Sequence, residues 1–275
     1  MPVPSPLESY LATLPSALVA YSGGVDSALV AVAAHRVLGS EHAVAALGMS
    51  PSLAQAQRDQ ARRVAQLFGL RLLEVPTGEF GDPAYVANPV DRCYHCKSEL
   101  WRTLGAEAAR RGLATVLDGT NADDGGEHRP GLRASREWGV RSPLLDLGYS
   151  KAAVRTEARA LGIPVWDAPA APCLSSRVMY GLEVTPRRVR QVEQGEAALR
   201  AAGVAGNLRV RHRGTEARIE VEPSQFAAVR RGRETIGRRL LDLGFDRVTL
   251  DLHGYRRGSQ LEGALADLET LAERG

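Results

Sequence analysis

The 275-residue chain is 44% apolar and 24% charged, with a net charge of +3, the balance of a soluble protein with a packed core, in one large domain or two modest ones. Its three cysteines, an odd and sparse count, exclude a disulfide framework, and no apolar segment approaches the roughly 20 residues needed to cross a bilayer. The opening MPVPSPLESYLATLP has neither the basic stretch nor the apolar run of a signal peptide, so a cytoplasmic protein without a membrane partner is expected.

The first 165 or so residues alternate strand and helix signals. ALVAY (17–21) is a short apolar run leading through SGG into a helix, VDSALVAVAAHRVLG. HAVAALGM (42–49) reads as a second strand, and SLAQAQRDQARRVAQLFG has helical periodicity ending at Gly69. RLLEVP (71–76) is a third strand. After a loop, CKSELWRTLGAEAARRG reads as a helix and ATVLDGT (114–120) as a strand. A looser stretch, 121–147, precedes a helix over 150–162 with Ser150 as N-cap. This alternation predicts an α/β fold, a doubly wound parallel sheet with ligands beyond the carboxyl ends of its strands.

The Pro-, Ala- and Ser-rich segment 167–178 reads as a linker that also carries the third cysteine. Beyond it, Thr185 and Pro186 cap a helix, and LRVRH and EARIEV flank the turn Arg213-Gly214-Thr215 of a hairpin. PSQFAAVRRGRETIGRRLLDLG reads as one helix with Gly232 and Gly237 as weak points, and FDRVTLDLHGY (245–255) as a strand. The expected division is residues 1–178 and a smaller α+β domain, 179–275. The late basic runs PRRVR, RVRHRG and VRRGRETIGRR are either solvated helix faces or a site for an anionic ligand.

SGGVDS (22–27) is the strongest local signal. It joins a strand to a helix, where backbone N–H groups converge on phosphate. Gly23 and Gly24 remove Cβ atoms that would block approach, Ser22 and Ser27 add hydroxyls, and Asp26 is expected to meet the phosphates through Mg²⁺. Neither a Walker A loop nor a G-x-G-x-x-G fingerprint is present. The motif resembles the loop of the PP-loop ATP pyrophosphatases, which bind the pyrophosphate of ATP and cleave between its α- and β-phosphates. In DGTNADD (118–124), Asp123 and Asp124 are candidates to hold Mg²⁺ or orient ATP, or else form a polar Asx turn.

Cys93 and Cys96 form C-Y-H-C at the mouth of a predicted helix, and Cys173 lies in P-C-L-S-S-R beside Arg177. A working thiolate needs help from nearby amides and cations, with Arg92 as one source. The residues leave four readings open. The three thiolates bind a [4Fe–4S] cluster, whose fourth iron position is open to an extra sulfide. Cys173 alone is the sulfur source. The site is structural zinc, with His95 or His128 as fourth ligand. Or three unrelated thiols are buried. Arg209 and Arg211 share one face of a strand, a pair of guanidinium forks suited to a phosphate dianion or to a ladder of ion pairs with Glu220.

SGGVDS, RCYHCK, DGTNADD, RPG (129–131), SPL (142–144), PCLSSR, RVRHRG and GFDRVTLDLHGYR run in order through nearly the whole chain. Together they resemble the LarE family, ATP-dependent sulfur transferases that help to build the nickel-pincer nucleotide cofactor of lactate racemase. The resemblance implies that ATP adenylates a carboxylate of a pyridinium dicarboxylate mononucleotide and that sulfur then displaces AMP to give a thiocarboxylate. In one branch the cysteine matching Cys173 gives up its own sulfur and becomes dehydroalanine. In another, three cysteines hold an iron–sulfur cluster that permits turnover with sulfide or another sulfur donor. Cysteines at all three positions resemble the second branch. Arg209 and Arg211, with Arg177, would then hold the substrate phosphate, and a homo-oligomer is implied. A tRNA-thiolating PP-loop enzyme is the nearest rival, but no aromatic RNA platform is visible. An ammonia-using synthetase would not need Cys173, and a nucleotide-binding regulator would release no pyrophosphate.

Overall fold

The computed structural model describes residues 3–124, 130–169 and 171–256. The chain divides into two compact units, Met1–Glu79 with Cys93–Ala171, and Phe80–Arg92 with the chain from Pro172 onward.

The first unit is built on four parallel strands in the order β3-β2-β1-β4: β1 (Ala17–Ala20), β2 (Ala43–Met49), β3 (Arg71–Pro76) and β4 (Thr115–Leu117). Its central strands are apolar on both faces, as a covered parallel sheet requires. Ala17, Val19, Ala43, Ala45 and Leu47 face one layer, α1 (Pro6–Leu11), α2 (Val25–Leu38), α3 (Gln55–Leu67) and α8 (Lys151–Ala160). Leu18, Ala46 and Val75 face the other, where α5 (Arg92–Arg110) brings Trp101, Leu104 and Ala108 and α6 (Pro130–Glu137) brings Ala134. Helices therefore cover both faces, the expected doubly wound sheet. α2 is buried from Ala28 through Ala34, and its small Ala and Val side chains suit its central place. Because β1 pairs with β2 on one side and β4 on the other, the strand order reverses beside β1, where ligands of such sheets bind.

The stretch read as loose holds α6 and a short α7 (Pro143–Asp146), each started at a proline and too brief for periodicity to show. The helix expected from Cys96 begins four residues earlier, at Arg92.

The second unit carries the expected hairpin, β5 (Leu208–Arg213) and β6 (Glu216–Val221), turning at Gly214-Thr215 with Gly214 at φ +75°. β7 (Arg247–Leu250) joins β6 in parallel and is shorter than the alternating pattern suggested, because a turn closes from the Gly254 N–H to the Asp251 carbonyl at 3.0 Å. α9 (Pro186–Ala201) is capped by the Thr185 side chain. The helix expected over 223–244 is two, α10 (Phe226–Arg231) and α11 (Arg233–Asp242), broken at Gly232, where a Cβ would stand 3.2 Å from that of Ala202. Residues 174–177 form a 3-10 turn with Leu174, Ser175 and Arg177 buried, so this part of the presumed linker is packed structure.

Residues 80–92, including α4 (Pro83–Val86), serve the second unit. Asn88, fully buried and left-handed at φ 55°, donates to the carbonyls of Met179 at 2.8 Å and Leu182 at 2.9 Å. The Tyr85 hydroxyl meets Ser175 Oγ at 2.7 Å.

His212 lies in the core of this unit, its Nε2 3.0 Å from Gln191 Oε1 and its ring against Phe245. Burial, and then the charges of Arg188 and Arg187, push its pKa down from 6.5 to about 4. Between those values the unfolded chain takes up a proton that the folded unit refuses. This contribution to stability is complete above pH 6.5 and is lost toward pH 4, by at most about 1.4 kcal/mol per pH unit. Urea midpoints measured from pH 7 to 4.5 should fall less steeply in His212→Gln than in the parent.

No helix among the described residues is long and apolar enough to cross a membrane.

Candidate functional site

The glycine loop lies at the carboxyl end of β1, beside the strand-order reversal. Gly23 has φ +76°, and a Cβ there would stand 2.7 Å from Ala61 Cβ, so both conformation and space require glycine. Gly24 is the N-cap of α2 and offers no side chain to the first-turn amides, a helix start open to an anion. Ser22 and Ser27 are joined Oγ to Oγ at 3.1 Å, and Ser27 Oγ donates to the Gly24 carbonyl at 3.1 Å.

Asp26 is held from two sides. Asn121 Nδ2 donates to its Oδ1 at 3.0 Å, and Lys151 Nζ reaches its Oδ2 at 2.5 Å. Asp123 accepts the backbone N–H of Lys151 at 2.8 Å, and Asp124 Oδ2 lies 3.4 Å from the Asn121 N–H. The DGTNADD segment thus forms turns that tie the end of β4 to the starts of α2 and α8. It presses close to the loop. A Cβ on Gly119 would lie 2.6 Å from the Ser27 nitrogen. Gly119, Asn121 and Lys151 escaped the sequence reading. The first two lay inside a motif already noticed, but Lys151 sits in SKAAVR, which carries no signal.

Cys93 is exposed and Cys96 half-buried in the first turn of α5, in the same unit as the loop. Three residues apart on a helix, they share one face. Tyr94 between them donates to Glu137 at 2.6 Å, and Arg133 stacks on its ring, joining α6 to α5. The buried guanidinium of Arg92 bonds Asn88 Oδ1 and the Ser175 carbonyl.

Cys173 belongs to the second unit and caps the 3-10 turn. Its carbonyl accepts from Ser176 Oγ at 2.7 Å and Arg177 Nη1 at 2.9 Å. Arg177 also donates to the Pro172 carbonyl and pairs with Glu196 at 2.9 Å. These bonds are all internal, so Arg177 fixes the cysteine loop. Arg211 pairs with Glu220 at 2.8 Å and donates to the Ser176 carbonyl at 2.9 Å. Arg209 differs. It is buried, lies 5.1 Å from the centre of the Tyr255 ring, donates to the Leu208 carbonyl, and makes no salt bridge among the described residues. Burial, then the charge of Arg177, lower its pKa, and Glu196 and Tyr255 offset this only in part, so a buried cation here is costly without a further anion.

All three cysteines are thiols rather than half-cystines. Among the described residues no three His, Cys, Asp or Glu side chains gather as a metal cage. His128 and Arg129 lie outside the described residues.

A family model for NAD synthase matches residues 6–85, the span of β1, the glycine loop and β3. Over 92% of its length the chain is 34% identical to the pyridinium-3,5-bisthiocarboxylic acid mononucleotide synthase of Lactiplantibacillus plantarum, covering 91% of that protein. It is 44% identical to the uncharacterized protein slr1717 of Synechocystis, over 92% of this chain and 94% of the relative. It is 29% identical to the uncharacterized protein MJ0830 of Methanocaldococcus jannaschii, over 87% and 90%. With a parallel sheet and a glycine loop of the PP-loop kind beneath these identities, the chain belongs to the LarE family and is an ATP-dependent sulfurtransferase.

Proposed function

We propose that this sulfurtransferase adenylates a carboxylate of a pyridinium dicarboxylate mononucleotide and converts it to a thiocarboxylate. The carboxylate oxygen attacks the α-phosphate of ATP and pyrophosphate leaves. Hydrosulfide then attacks the acyl carbon, AMP leaves, and one proton is released. Gly23, Gly24, Ser22 and Ser27 bind the polyphosphate. Asp26 is the carboxylate for Mg²⁺, an ion ordinarily held through one or two carboxylates and substrate phosphates. The observation that carries the substrate class is Arg209, a buried guanidinium that makes no salt bridge among the described residues, in the same unit as the arginine that fixes the Cys173 loop. A phosphate monoester supplies the missing charge, and the relative from Lactiplantibacillus plantarum is named for a mononucleotide product.

Cys173, with Cys93 and Cys96, would hold the centre that delivers this sulfide. Three thiols, two on one helix face, fit a three-ligand [4Fe–4S] cluster by donor chemistry. Such a cluster, when bound, offers an open iron position for the extra sulfide. The functional enzyme is a homo-oligomer of the cytoplasm.

The test is anaerobic purification with iron quantitation, followed by assay with ATP, the dicarboxylate mononucleotide and sulfide. Expected are about four irons per chain, and thiocarboxylate, AMP and pyrophosphate in equal amounts over many turnovers. Arg209→Ala should raise the KM for the mononucleotide and leave ATP affinity unchanged. If no iron is held after reconstitution and each chain turns over once, becoming lighter by one H₂S, Cys173 is a sacrificial donor. If tRNA is thiolated instead of the mononucleotide, the substrate assignment falls.

A further inference from the structure

The glycine loop contains no lysine, yet a lysine reaches it from α8, 125 residues further along the chain. Lys151 is the first residue of that helix, where the helix dipole disfavours a cation. Its backbone is fixed by the bond from its N–H to Asp123, and Ser150 caps the same turn. Its side chain is free to pivot on that anchor, with 35% of its surface exposed against 22% for Asp26. An accessible ion pair of this kind adds little to fold stability, so an incoming charge can replace either partner.

Resting on the reading that ATP binds at this loop, we propose that Lys151 is the polyphosphate-binding lysine of the site and that it exchanges partners on binding. In the free protein its ammonium neutralises Asp26. When ATP enters with Mg²⁺, the ammonium passes to the oxygens beyond the α-phosphate and Asp26 passes to the metal. Charge requires such an exchange. The amides and hydroxyls of the loop supply only partial positive charge, and a bare Asp26 in the first turn of α2 would repel the polyphosphate. While Lys151 occupies Asp26, the carboxylate is a poor metal ligand. Metal and nucleotide therefore bind together. Asn121, the other partner of Asp26, keeps the carboxylate oriented while the lysine leaves.

The test is calorimetry of the full chain with Mg²⁺ and either ATP or AMP, together with Mn²⁺ titration of the nucleotide-free protein by electron paramagnetic resonance. Lys151→Met should weaken ATP binding about 10- to 100-fold, the range of a lost charge-assisted hydrogen bond. AMP, which lacks the outer phosphates, should bind as it does to the parent. Lys151→Arg should recover most of the preference for ATP. Nucleotide-free Lys151→Met should bind Mn²⁺ more tightly than the parent, and this gain should vanish in the double variant with Asp26→Asn. Equal weakening of ATP and AMP, or unchanged ATP affinity, would overturn the proposal, as would identical Mn²⁺ affinities. If the parent itself binds no ATP, the nucleotide-site reading fails as well. If the parent binds ATP and only the ATP/AMP ratio fails to move, that reading stands and the role of Lys151 alone is lost.

Discussion

Gly119→Ala should abolish ATP-dependent thiolation while leaving the protein folded. The added methyl would stand 2.6 Å from the Ser27 nitrogen and 2.9 Å from Ser27 Cα. Both are backbone atoms at the start of α2, and no rotamer change relieves them. Either the end of β4 retreats or the first turn of α2 tilts, and in both cases the phosphate-binding amides move relative to Asn121 and Lys151. A displacement on the order of 1 Å at a reacting centre costs about 100-fold in rate. Pyrophosphate release should therefore fall by at least about two orders of magnitude, with the ATP dissociation constant rising in parallel. Gly105→Ala is the control. Gly105 lies within α5 with open space around the added Cβ, so alanine there should raise stability by roughly 0.5–1 kcal/mol and leave activity intact. Equal activity in the two variants would place the phosphate site elsewhere.

Cys173→Ser should likewise end thiocarboxylate formation, but by a different route. Arg177 and Ser176 hold the Cys173 carbonyl, not its side chain, so the loop keeps its shape when sulfur becomes oxygen. The loss should therefore be chemical: ATP and mononucleotide bind with parent affinities, and no sulfur appears in the product. Cys93→Ser and Cys96→Ser separate the two routes for sulfur. With a three-thiol cluster each variant stops multiple turnover. With a sacrificial Cys173, each still makes one equivalent of product. Assay of all three variants under single- and multiple-turnover conditions decides between these routes.

The parts of this molecule that could be read from sequence are those in which a few adjacent residues determine the outcome. An apolar run followed by two glycines and a serine specifies β1, the loop and the start of α2, and Ser150 and Thr185 cap the helices that follow them. The parallel strands were legible because both faces are covered and their sequences are continuous apolar runs. Where a distant partner decides, the sequence was silent or misleading. Arg177, expected with Arg209 and Arg211 to hold the substrate phosphate, has partners that its local sequence does not show, Glu196 on α9 and two carbonyls of its own loop. Lys151 looked like an ordinary helical surface residue because Asp26 is far away in sequence. Gly119 was hidden among polar turn residues, since what demands a glycine is the backbone of another element.

The route of residues 80–92 bears on how the protein is made. The chain contributes α4 and Asn88 to the second unit more than 90 residues before it supplies the Met179 and Leu182 carbonyls that Asn88 binds. A nascent chain released from the ribosome through residue 171 holds every strand of the parallel sheet, while its 80–92 segment still lacks the partners that order it. The second unit therefore cannot be produced by expressing residues 172 onward alone. A fragment of that kind lacks the Asn88 amide and the Tyr85 hydroxyl and leaves their carbonyl and serine partners without them. Splitting the chain into two separately expressed halves should yield a soluble second half only when residues 80–92 are supplied with it.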